Sequence, residues 1–180
     1  MPEESNLLRP YSYSENHRSK YVTYNFVTAA NQEYYVYFSD GSGYFPNYPH
    51  FCDDIVTFGF GTNSSATFDL SLNKRHDSRI RDTLFAIIQD SFSLFPQRAI
   101  LIMCDTNDGR QACRNNLFHR WYNELGRIID LEISKYNITI LGPGDEGTYL
   151  IMLIPIYCFM HDQIRDAFWD INNEMISKGL

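Results

Sequence analysis

At 180 residues the chain has the length of one domain, and two ordinary domains would not fit in it. Fifteen Lys plus Arg against 22 Asp plus Glu leave a formal charge of −7, which argues against a nucleic-acid binder that works through a basic body. An aromatic content of 16%, with 13 Tyr and 13 Phe, favours strands and argues against an all-helical bundle.

Residues 1–19 are polar, with few aliphatic side chains and no apolar leader core. They read as an arm that is loose or ordered by a partner, ahead of a single domain over 20–180. Two β-rich runs follow, Tyr21–Val27 and Glu33–Ser39, joined by the hairpin-length Thr28–Gln32. Alternation puts Val22, Tyr24 and Phe26 on one face of the first run. In the second run it opposes Tyr35 and Tyr37 to Tyr34, Val36 and Phe38. A long Gly-, Pro- and Tyr-rich loop spans Asp40–Asp53, and Ile55–Gly61 reads as a third strand. Between Ala66 and Leu72 the pattern is compatible with a further strand edge.

Asp77 or Ser78 caps a helix whose apolar positions Ile80, Leu84, Ile87, Ile88 and Phe92 recur at helical spacing, and Pro96 ends it. The continuously apolar Ala99–Cys104 has the signature of a central buried strand, with Ile100 and Ile102 in the core. Asn107 or Asp108 then caps a helix carrying Cys113, Leu117 and Trp121 on one stripe, with Gly126 as its C′ residue. Two strands, Leu131–Leu141 and Tyr149–Ile156, flank the turn Gly142–Gly147, and a helix over His161–Ser177 closes the chain. The fold class is α+β, a mixed and largely antiparallel sheet flanked by helices in the order βββ-α-β-α-ββ-α.

That order resembles the later part of the GNAT acyltransferase fold, over Tyr21–Ile156. The resemblance implies an acyl-CoA pyrophosphate at the N-terminus of the first helix and a tyrosine acid on the second. Here the phosphate segment is Asn73-Lys74-Arg75-His76-Asp77-Ser78-Arg79, without glycine, and the acid position holds Phe118, with Tyr122 one turn on. Backbone N–H groups approach a phosphate closely only where glycine allows it, so tight acyl-CoA binding is not expected. The segment Asp105–Ala112, with Arg79–Phe85 before it, is similar to a bacterial family of short proteins of unknown function.

Three constellations are candidates for binding. Lys74, Arg75, Arg79 and Arg81 crowd a helix N-terminus, where dipole and free N–H groups favour an anion, and Arg110 could hold another. Asp105, Thr106 and Asn107 form a polar turn past the carboxyl end of the central strand, where ligands collect in open sheets. Tyr44, Phe45, Tyr48 and Phe51 are joined by Pro46 and Pro49, which gives large contact area at low ordering cost. They face a protein partner or seal one end of the core. No catalytic residue, metal site or cofactor is assigned: His50, Cys52, Asp53 and Asp54 are close in sequence but lack a second ligand pair. Cys104 and Cys158 sit in apolar runs as reduced, buried thiols. The apolar run Tyr149–Met160 is too short to span a bilayer and is broken by Pro155. The expectation is a cytoplasmic, non-enzymatic partner of another protein, antitoxin- or immunity-like. The alternative is a GNAT-like acyltransferase or CoA-type ligand binder.

Overall fold

A computed structural model of the chain describes residues 8–17, 21–62, 77–104, 109–141 and 147–177. Seven strands and three α-helices follow in the order β1 (Tyr13–Asn16), β2 (Thr23–Val27), β3 (Glu33–Asp40), β4 (Ile55–Thr62), α1 (Ser78–Leu94), β5 (Ala99–Met103), α2 (Gln111–Leu125), β6 (Ile133–Leu141), β7 (Gly147–Pro155) and α3 (His161–Ser177). The strands make one mixed sheet, ordered β1-β2-β3-β4-β5-β7-β6. Every neighbouring pair is antiparallel except β4 and β5, whose connection runs through α1 and is long enough for a parallel crossover. The expected α+β order is present, with one strand more at its start.

That strand corrects the reading of residues 1–19 as an arm set apart from the domain. Over 8–17 the chain pairs with β2 and packs on α1. Tyr11 is buried; its N–H donates to Thr83 Oγ1 at 2.8 Å, and its hydroxyl donates to Asp77 Oδ2 at 2.6 Å. Asp77 is also the cap of α1, accepting from Arg79 N at 3.0 Å. Few aliphatic residues mark this segment because tyrosine rings do its packing and hydroxyls satisfy its polar ends.

The β2–β3 hairpin turns at Asn31, whose φ of 58° lies in the left-handed region that Asn tolerates. Tyr24, Phe26, Val36 and Phe38 point to one face, where Leu84, Ile87, Ile88 and Phe92 of α1 meet them. From β5, Ile100 and Ile102 join this layer at 0% and 3% exposure. On the opposite face Ile55, Leu101, Met152 and Ile154 pack under Ile164 and Phe168 of α3. The sheet is therefore covered on both faces, but the second cover extends only over the β4 start, β5, β7 and β6.

Two expectations about α2 are corrected. Its buried residues are Gln111, Asn115, Phe118, Trp121 and Leu125, so Trp121 packs in the core with Phe118 and Leu125 beside it, as the spacing predicts, but Cys113 is exposed and Leu117 half-buried. Gly126 takes φ −63°, right-handed, because the chain continues as a turn in which Ile128 and Ile129 donate to Leu125 O. The left-handed residue comes later, at Glu132 with φ 47°.

Arg81 is buried at the α1–α2 contact and donates to Asp82 Oδ1 at 2.7 and 2.8 Å and to Glu124 Oε2 at 2.8 Å. Burial works against the charge, but the two carboxylates outweigh it and hold the guanidinium above its ordinary pKa. Asp82 Oδ2 accepts from Arg9 N at 3.0 Å, so one buried cluster ties the N-terminal segment, α1 and α2 together.

Candidate functional site

The sheet opens between its two parallel strands. β4 and β5 are in register at only three positions, Ile55↔Ala99, Val56↔Ile100 and Thr57↔Leu101. Beyond them β4 runs on to Thr62 against β3, while β5 continues against β7. The strands part at their carboxyl ends and leave a cavity of about 470 Å³.

Its walls come from both faces of the sheet. Phe58 and Phe60 of β4 and Ile102 of β5 face α2, which contributes Arg114, Leu117 and Phe118. Phe60 packs edge-on to Phe118 at 6.1 Å between centroids, and Phe118 packs edge-on to Trp121 at 5.7 Å. On the other face lie Tyr35, Tyr37, Thr57, Gly59 and Met103, where α3 does not reach. Tyr37 stands directly across from Gly59, and Tyr35 from Gly61. The two rings stack on each other at 6.1 Å, each lying across the opposing glycine, where an added Cβ would collide with it. The glycines let two large rings lie flat on the sheet, half-exposed at 38% and 41%.

Cys104 ends the β5 wall. Burial pushes its thiol up to about 11, against a smaller opposite pull from Arg114. It stays protonated at neutral pH and is a poor nucleophile there. Tyr122, one turn past Phe118, gives its hydroxyl to the carbonyl of Ile133, and burial raises its pKa. The site thus presents aromatic and aliphatic surface, one guanidinium and a neutral thiol. Among the described residues no group of three or more His, Cys, Asp or Glu could hold a metal ion.

The residues singled out from the sequence fall in several places. Lys74, Arg75, Asp105, Thr106 and Asn107 lie outside the described residues. Arg79 stacks over the Tyr11 ring at 3.9 Å and donates to the carbonyls of Arg9 and Pro10, so its guanidinium clamps the N-terminal segment. Arg110 precedes α2 and is exposed. Phe45 and Phe51 are 0% and 1% exposed and pack with Ile55 in the core, so these two rings seal the sheet and are not surface anchors. Tyr44 is exposed, and Tyr48 is half-buried, stacked on Phe51, with its hydroxyl donating to Asp170 at 3.0 Å. Sequence reasoning missed the cleft, although Tyr-x-Tyr at 35–37 and Gly-x-Gly at 59–61 share the two-residue period that pairs ring with glycine.

A family profile matches residues 76–168, just over half of the chain. The chain belongs to a family of unknown function, DUF6169. The match holds the β5 and α2 walls of the cleft and leaves out those from β3 and β4. No curated protein and no solved structure matches the chain. No helix among the described residues is long and apolar enough to cross a membrane.

Proposed function

We propose that this protein is a non-enzymatic ligand binder whose cleft takes an elongated, amide-bearing acyl ligand of the CoA-thioester class. The parting of β4 from β5 after three register positions carries this reading. Among the described residues, no strand pairs with β4 on its β5 side beyond Thr57. An extended ligand with amides along its length meets that edge as a short strand would. Phe58, Phe60, Leu117 and Phe118 offer apolar surface to an acyl chain, and Arg114 offers positive charge to an anionic portion. Binding without turnover fits the chemistry of the walls, where burial keeps the Cys104 thiol protonated.

Calorimetric titration with acetyl-CoA and a longer acyl-CoA tests the proposal. With no glycine in the 73–79 segment the expected binding is weak, with a dissociation constant on the order of 100 micromolar, weakened about tenfold or more when Leu117→Trp fills the half-buried α2 wall. Absence of heat up to millimolar ligand, with the chain folded, would reject it.

A protein partner is the second reading, favoured by an apolar patch at another end of the sheet. Leu94, Phe95, Ile156, Tyr157 and Phe159 are 46–87% exposed. Their turns are held together by Gln97, whose side chain accepts from Phe159 N at 2.8 Å.

A further inference from the structure

Away from the cleft, a polar cluster lies between α2 and β6. Lys135 Nζ is 2.9 Å from His119 Nδ1 and 2.6 Å from Asn137 Oδ1, and Asn137 reaches Asn115 Oδ1 at 3.4 Å. The ammonium also sits 5.3 Å from the Tyr122 ring centroid. Across the strand pair Lys135 faces Leu153 of β7, which brings no charge. None of the ion pairs among the described residues includes Lys135. A lysine packed as a structural cation ordinarily meets a carboxylate; this one meets an imidazole, one amide and a ring.

We propose that Lys135 is the nucleophilic amine of a carbonyl-binding site, which captures an aldehyde or ketone as an imine with His119 as its proton carrier. Among the described residues β6 is an edge strand, and Lys135 on it is half-buried, not sealed in the core. Burial lowers the lysine's pKa, and burial together with the neighbouring ammonium lowers that of His119. The first shift favours the neutral amine that attack requires, and the second keeps His119 unprotonated, with a ring nitrogen able to accept a proton. Attack forms the Nζ–C bond while the carbonyl π pair moves onto oxygen. His119 Nδ1 takes one proton from nitrogen and returns it to that oxygen. The hydroxyl then leaves with the second nitrogen proton as water, and the nitrogen lone pair closes the C=N bond. One amine and one carbonyl compound give one imine and one water, with no change of oxidation state.

The sequence makes the test clean, because the chain has four lysines: Lys20, Lys74, Lys135 and Lys178. The full chain is treated at pH 7 with propionaldehyde and cyanoborohydride, which reduces any imine to a stable secondary amine, and the lysines are read by peptide mass spectrometry. The expected result is alkylation at Lys135 severalfold faster than the mean of the other three, the direction in which burial of the amine acts. Its rate should also hold to lower pH than theirs. His119→Gln, which can accept a hydrogen bond but not carry the proton, should slow Lys135 and move its pH profile while the thermal melt is unchanged. Should that variant fail to fold, the ratio among the four lysines in the unaltered chain decides alone. Labelling of Lys135 no faster than the others overturns the proposal.

Discussion

Strands β7 and β4 are nearly equal in length, at nine and eight residues, and lie one strand apart in the same sheet, yet they do opposite work. β7 is paired on both sides, and Leu150–Pro155 are buried without a break. β4 is paired on both sides at Val56 and Thr57; from Phe58 onward only β3 pairs with it among the described residues. The difference lies in the side chains. An unbroken aliphatic run can be covered on both faces, as α2 and α3 cover β7. The second half of β4 alternates phenylalanine with glycine, so one face joins the α2 side of the core and the other carries only the rings of Tyr35 and Tyr37. A sheet can thus hold a fully packed strand and a less covered one with a single strand between them.

The largest test of that contrast is Ile151→Asp. Ile151 is fully buried at the centre of β7, and an unpaired buried carboxylate costs several kcal/mol, a large share of a domain's ~5–15 kcal/mol. Loss of the cooperative thermal transition is expected; an unchanged melting temperature would show that β7 is not a buried interior strand.

Next in size is the cover of the first half of β4. Phe45→Ala should lower stability by about 3–5 kcal/mol in a denaturant titration, as for a core ring, whereas exposed Tyr44→Ala should stay within about 0.5 kcal/mol. Equal and small effects would return the 40–53 loop to the surface.

Much of this plan was legible in residue periodicity. The stretch from α1 to α3 reads correctly because its elements are long, their apolar residues repeat at 3.6 or run unbroken, and Asp77 and Pro96 punctuate α1 at each end. β1 is hidden because a four-residue edge strand of Tyr, Ser, Glu and Asn has no aliphatic signature. The aromatic loop could be read either as interface or as core, since proline-linked rings suit both. Only the packing of Phe45 and Phe51 against Ile55 decides the matter for those two. The cleft was not legible at all. It arises where β4 and β5 part, and no residue pattern states which neighbour a strand will leave. Arg79 and Arg81 show the same gap between composition and role: a basic cluster in sequence becomes a clamp on the N-terminal segment and a buried ion-pair hub.

The most direct test of the account's central claim is amide hydrogen exchange, residue by residue, on the free protein and with saturating acetyl-CoA. The account predicts that alternate amides of Phe58–Thr62 exchange fast in the free protein, while Leu150–Ile154 stay protected to near the limit of global unfolding. It predicts that the ligand slows the fast set and leaves the other unchanged. Equal protection of both strands in the free protein, or no change at Phe58–Thr62 on adding ligand, would contradict it.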